Sequence, residues 1–242
     1  MGAYYFLACL LPPLPGTLGE KLGVSFPEAS AILKRNIHPS DEHLLNALLY
    51  SIDTANWENL DQGRGPFIEG GVLSKADFEN RRELPDFITA FEEEREKGIR
   101  RSYPYDRLWE IYYDNLFEQA RRSNCRYLLE YVPWEVELRN SLATLRAREI
   151  GKNPEDSTVH GQLRDYDFSP ILTQLKTQKN PLLSERYLDE ERLRRIARCE
   201  GNSVFALDAI LAYVSRLMIF SRWEKMSAAF DFDNFLYGGG TT

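Results

Sequence analysis

Between Tyr131 and Arg148 the apolar side chains recur at helical spacing. Trp134, Leu138, Leu142 and Leu145 fall at steps of four, four and three, which draws one stripe along an α-helix. Pro133 fits the first turn of such a helix, where its missing N–H would be unbonded anyway. The spacing therefore predicts a helix that starts near Tyr131 and ends near Gly151. Glu135 and Arg139 stand four apart with the acid first, the favourable order for an ion pair. Arg139, Asn140, Arg146 and Arg148 crowd beside the stripe. A chain built from such segments is constrained to bury helix faces against helix faces.

The same period runs through most of the sequence. Ser25 reads as an N-cap, with Pro27 and Glu28 in the opening turn of a helix that reaches Asn36. Ser40 opens the next, whose face carries Leu44, Leu45, Leu48, Leu49 and Ile52. Ser74 and Asp77 have the spacing of a capping box, with aspartate in place of glutamate. Further helices are predicted over Leu84–Gly98, Tyr105–Cys125, Ser169–Leu175, Tyr187–Glu200 and Ser203–Ala228. Tyr4–Leu10 reads equally as a strand or a helix. The expected fold is all-α, a multi-helix bundle-like array with at most one short strand, at the N-terminus. It forms one helical domain over residues 1–242, either undivided or in two modules meeting at the polar stretch 152–161. The tail from Asp231, ending in Gly238-Gly239-Gly240, is expected to be flexible.

Composition excludes several classes of function. The net charge of −7 opposes nucleic-acid binding, which needs a basic surface. The basic clusters Arg100-Arg101, Arg121-Arg122 and Arg192, Arg194, Arg195, Arg198 are interleaved with acids and read as solvated helix faces. Cys9, Cys125 and Cys199 lack metal-ligand spacing and read as buried free thiols. His38, His43 and His160 make no metal motif. No stretch has the length of a membrane span, and Met1–Leu14 lacks the charged start of a signal peptide. The glycines of the loop Asp61–Gly71 precede no Lys-Ser or Lys-Thr pair, so they read as turn residues free to adopt positive φ. Neither Gly-x-Ser-x-Gly nor His-Glu-x-x-His occurs. The nearest approaches to an acidic site are Asp165 with Asp167 and Asp231 with Asp233. A helical enzyme or a small-ligand or metal-binding protein centred on Asp165 and Asp167 is the alternative reading. No catalytic, cofactor-binding or metal-ligating residue is otherwise assigned, and no cofactor is expected.

Four stretches carry a resemblance. They are Tyr4-Tyr5-Phe6-Leu7, Glu69-Gly70-Gly71-Val72-Leu73-Ser74, Trp134-Glu135-Val136-Glu137-Leu138-Arg139-Asn140-Ser141-Leu142, and the segment from Leu207 to Leu217 that contains Leu211-Ala212-Tyr213. The last three resemble the C subunit of V/A-type ATPases, the counterpart of the eukaryotic d subunit. The first and third resemble a shorter bacterial family encoded among V-type ATPase genes. The chain is shorter than the C subunit, which has three helical modules, and its start with Pro12-Pro13 and Pro15 differs. The resemblance implies a non-catalytic coupling protein, or an assembly relative, that joins the central rotor shaft to the membrane rotor ring. It implies those two partners and a cytoplasmic place, peripheral to the membrane through the complex. Trp134, Glu137, Arg139, Asn140, Arg146, Gly70, Gly71 and Tyr213 are the structural and interaction candidates. Glu137, Arg139 and Asn140 either bond neighbouring helices or stand in solvent.

Overall fold

The computed structural model describes residues 3–81, 84–98, 103–154, 158–159, 165–178 and 180–229. The tail from Asp231 with the pair Asp231/Asp233, the pair Arg100-Arg101, His160 and Gly161 lie outside the described residues. Ten helices and no strand occur among the described residues: α1 Tyr5–Leu10, α2 Phe26–Asn36, α3 Glu42–Asp61, α4 Lys75–Asn80, α5 Asp86–Glu96, α6 Pro104–Arg122, α7 Arg126–Glu149, α8 Ser169–Thr177, α9 Pro181–Cys199 and α10 Leu207–Ala229. The fold is all-α. Among the described residues no helix is long and apolar enough to cross a membrane.

Local chemistry starts and stops these helices. At α2, where Ser25 is expected only as an N-cap, the Glu28 carboxylate accepts from the Ser25 backbone N–H at 3.0 Å and from its hydroxyl at 2.7 Å, closing a capping box. The pair Ser74 and Asp77 does the same at α4, with the Ser74 N–H donating at 2.8 Å and the Asp77 N–H returning a bond at 3.3 Å. The stretch Tyr4–Leu10 resolves as helix: α1 turns Leu7 inward and leaves Phe6 71% exposed. Tyr4 anchors it, its N–H donating to Phe205 O at 2.8 Å and its hydroxyl to Asp41 at 2.5 Å. Cys125 and Cys199 are buried thiols as expected, but Cys9 is exposed because it rides the outer side of α1.

Helix α6 packs against α3, α5 and α7, and α7 packs in turn against α9 and α10. The main core lies between them and includes Leu45, Leu49, Ile88, Leu108, Leu128, Leu211 and Leu217. A second, smaller core gathers Trp134, Leu138, Leu142, Phe168 and Leu188, with Tyr166, Ile171 and Leu172 packed on it. Leu145, at the end of the apolar stripe, is only half-buried. Helix α7 begins at Arg126, five residues before the expected start, so Pro133 sits inside it and not in its first turn. The Tyr127 N–H, near the true start, donates to the Asp208 carboxylate of α10 at 3.1 Å. An interior proline costs about 3 kcal/mol because a backbone bond is lost. Burial of Tyr127, Leu128 and Val132 before it and of Trp134, Val136 and Leu138 after it outweighs that cost.

Candidate functional site

A cleft of about 640 Å³ opens among α3, α6, α7, α9 and α10. Its walls alternate aromatic and charged side chains. Trp109, Tyr112 and Tyr113 come from α6, Glu135, Arg139 and Arg146 from α7, Asp189 and Arg192 from α9, and Arg222 from α10. At the base runs a chain of alternating charges. Arg139 donates Nε to Glu135 at 3.0 Å. Arg192 grips the same carboxylate with two bonds, at 2.9 and 3.1 Å, and gives a third at 3.0 Å to Asp189. Asp189 also accepts from Trp223 Nε1 at 2.6 Å and from Arg222. The chain thus ties α7, α9 and α10 together.

Burial makes this chain consequential. The side chains of Glu135, Asp189 and Arg192 are 8, 1 and 14% exposed. Burial alone would push the Glu135 carboxyl up, but the charges of Arg192 and Arg139 outweigh it and hold the carboxyl below its usual value. Burial would likewise lower the Arg192 guanidinium, and Glu135 beside it raises it instead. Arg139 lies over the rings of Trp109 and Tyr113, with its guanidinium carbon 4.9 and 5.4 Å from their centroids. It therefore bonds within its own helix and meets α6 by stacking.

Two residues of the expected solvated arginine face are turned inward. Arg192 is in the chain just described, and Arg195 donates to the Glu130 carbonyl at 2.8 Å with its guanidinium over the Tyr166 ring. The sequence contains the signal. Arg192 continues the buried stripe Leu188, Ile196 and Cys199 at helical steps, and a charge on an apolar stripe implies a buried partner. The bonds of Glu135 to Arg192, and of Asp189 to Arg222 and Trp223, escape sequence reasoning because each joins two different helices.

The eight interaction candidates divide among five places. Arg139, Asn140 and Arg146 line the cleft. Trp134 fills the second core against Phe168. Glu137 is half-buried, and its carboxyl is raised by burial and then by Asp165 nearby. Asp167 accepts from the Ser169 N–H at 2.9 Å and so serves the start of α8. Tyr213 faces a separate cavity of about 550 Å³, where its hydroxyl donates to the Pro12 carbonyl at 2.9 Å. Asn140 makes a strand-like pair of bonds to Val159, donating to its carbonyl at 2.7 Å and accepting from its N–H at 2.8 Å. Asn140 therefore ties α7 to the segment after it and not to a helix. Asn140→Ala is expected to cost about 1–2 kcal/mol. It should also speed tryptic cleavage after Lys152 while the helical circular dichroism stays unchanged.

Gly70 and Gly71 form a clamp against α2 and α3. Gly70 adopts φ +102°, and a Cβ there would stand 2.4 Å from the Phe26 ring. A Cβ on Gly71 would stand 2.2 Å from the Asp53 carboxylate. Asp53, fully buried on α3, accepts from the N–H groups of Val72 at 2.8 Å and Leu73 at 3.2 Å. Ser30 and Lys34 of α2 donate to the carbonyls of Gly70 at 2.9 Å and Gly71 at 2.5 Å. Asn56 bonds both backbone groups of Ile68, at 2.8 and 2.9 Å. The N–H groups that a phosphate would need are thus occupied by the protein's own carboxylate.

Burial raises the Asp53 carboxyl to about 6, against the lowering effect of Val72, Leu73 and Lys34. Its folded value lies above the unfolded one, so the native state holds the extra proton between about pH 4 and 6. The contribution of Asp53 to stability accordingly falls as pH rises through that window. Asp53→Asn removes this slope, and urea melts at pH 4.5 and 6.5 in both proteins check it.

Among the described residues no group of three or more His, Cys, Asp and Glu side chains could hold a metal ion. The family described as protein of unknown function DUF2764 matches residues 1–232. No curated protein and no solved structure matches the chain.

Proposed function

We propose, from the premise that the chain belongs to the DUF2764 family, that it is a non-catalytic coupling or assembly component of a V-type ATPase, similar in role to the C subunit. The observation that carries the reading is the cleft of about 640 Å³, walled by helices and lined by arginine and aromatic side chains. Such walls receive protein segments: arginine and aromatic side chains are the residue types that anchor interfaces. The sequence likenesses at Glu69–Ser74, Trp134–Leu142 and Leu207–Leu217 support the same role. Each of these stretches sits in a well-packed part of the fold: the clamp on Asp53, helix α7, and helix α10. In this role the body holds a shape between the rotor shaft and the membrane ring, and its own residues carry out no reaction.

The test is purification of the intact ATPase from native membranes with a tag on this chain. The expected result is co-purification with the proteins of the rotor shaft and ring. Loss of the chain from every fraction that holds ATPase components sinks the proposal.

A further inference from the structure

The second cavity, of about 550 Å³, is an open groove along α10. Its walls include Cys9, Leu11 and Pro13, with Leu193 of α9 and Ile210 and Phe220 of α10. The two charged side chains among its described walls, Glu200 and Arg216, pair with each other at 2.6 Å, so the groove is apolar and carries no net charge. Its rim is bare. Val204 is 66% exposed, and Tyr5 and Phe6, one helical turn before Cys9 and Leu10 on α1, are 62 and 71% exposed. The Tyr5 ring meets Phe205 of the groove wall at 4.6 Å, which makes rim and groove one surface. Residues 2–19 hold no charged side chain, in a chain of which 28% is charged. A continuous exposed apolar surface of this kind calls for a cover.

A second copy of the chain is a poor cover. A stable interface between two proteins takes about 800 Å² and 20–30 residues from each partner. Here the large exposed side chains beside the groove are Tyr5, Phe6, Leu10 and Val204. A tethered segment needs far less surface, because the tether supplies an effective concentration on the order of millimolar.

The chain carries a segment of that kind. Phe230, Phe232, Phe235, Leu236 and Tyr237 follow directly on α10. Residues 234–242 hold no charged side chain, which suits a groove without net charge. The reach also matches. Tyr213, on the groove wall, lies sixteen positions before Ala229 at the end of α10, about 24 Å along the axis. Phe235 and Tyr237 lie six and eight positions beyond Ala229, a reach of about 20–28 Å for extended chain. The segment from Pro12 to Leu22 already spans this length of α10. Its Pro12 carbonyl accepts from Tyr213, and its Leu22 N–H donates to Glu224 at 2.9 Å.

We propose that residues 234–237 return along α10 and dock Phe235, Leu236 and Tyr237 in this groove, covering Cys9 and the rim. This inference stands apart from the coupling reading. The expectation of a flexible tail then holds from Gly238 onward. The tail is a built-in cover, which any partner of the groove must displace.

Cys9 reports the contact, since Cys125 and Cys199 are buried. Removal of residues 230–242 is expected to speed reaction of the Cys9 thiol with dithionitrobenzoate roughly tenfold under native conditions. Phe235→Ser with Tyr237→Ser, at full length, is expected to give the same acceleration. Circular dichroism checks that each protein is folded. A folded full-length double variant whose Cys9 reacts no faster than the wild type overturns the proposal. A cross-link tests the register. Leu236→Cys and, separately, Thr242→Cys are treated with diamide in the full chain. Two thiols lose two protons and two electrons to form one disulfide, and diamide takes these up to become the hydrazine. Peptide mass spectrometry is expected to find Cys9 joined to position 236 within one chain, formed roughly tenfold faster than the link to position 242. Equal rates at the two positions overturn the proposal. So does a link that forms only between two chains, which would assign the groove to the tail of a second copy.

Discussion

Glu135→Ala is expected to lower the melting temperature by roughly 10 °C. The carboxylate is buried and receives three hydrogen bonds from Arg139 and Arg192. Its removal leaves the nearly buried Arg192 guanidinium facing Asp189 alone, with two of its donors unbonded. Breaking a buried pair by deleting one partner costs about 3–5 kcal/mol, because the other charge stays where water cannot reach it. In a chain of this size about 1 kcal/mol corresponds to about 2–4 °C. Removing both charges is a different experiment. Glu135→Leu with Arg192→Met replaces the pair by apolar groups, and such replacement is often close to neutral. The double variant should therefore recover at least half of the loss. Thermal melts of the wild type, the single variants Glu135→Leu and Arg192→Met, and the double variant give the coupling directly. A double variant that melts as low as Glu135→Ala would mean that helix packing, and not the charge chain, joins α7 to α9.

Gly71→Ala is the other large effect, expected at about 3 kcal/mol or more. The added methyl would stand 2.2 Å from one Asp53 oxygen and 2.9 Å from its carboxyl carbon. Neither atom is at the end of a flexible chain with room to swing, since Asp53 is fully buried. Overpacking alone costs about 1–3 kcal/mol. If Asp53 is pushed aside, the Val72 and Leu73 N–H groups lose their acceptor, at about 1–3 kcal/mol for each that stays buried. Gly63→Ala is the opposite case, a positive φ with open space. Gly63 has φ +62° with nothing within 4 Å of an added Cβ, so only the backbone preference is charged, about 1 kcal/mol. Urea unfolding of the two variants separates close approach from backbone strain. Since Gly71 itself lies outside the positive-φ region, equal losses would show that its close approach to Asp53 costs no more than a backbone preference.

Helix positions are legible in the sequence where period and caps agree. Ser25 with Glu28 and Ser74 with Asp77 have the spacing of capping boxes, and both boxes form. The start of α7 is not legible, because Pro133 is a strong local signal for a first turn and only packing on both sides of it overrides that preference. The cleft is half legible. Arg139, Asn140 and Arg146 are visible beside the stripe, but the spacing of Glu135 points only to an ion pair within its helix. That pair exists, and two further bonds come from Arg192, 57 positions later. Asp53 and Asn56 lie among Leu45, Leu49 and Trp57 on the buried side of α3. Polar residues so placed imply buried partners, yet nothing in their spacing names the backbone of residues 68–73 as the group they hold.

Pro133 stands where α7 passes from one core to the other. Tyr127, Leu128 and Val132 before it belong to the larger core, as does Val136 just after it, while Trp134, Leu138 and Leu142 pack the smaller one. The 24-residue helix is therefore a single beam about 36 Å long, clamped in two bodies. Its stiffness is not uniform. With no N–H at Pro133, the Leu129 carbonyl lacks its usual partner in the helix, and the beam is most compliant at that turn. Val136 and Glu135, just beyond that turn, still hold the helix to the larger core and to α9, so the missing bond is braced by packing on both of its sides.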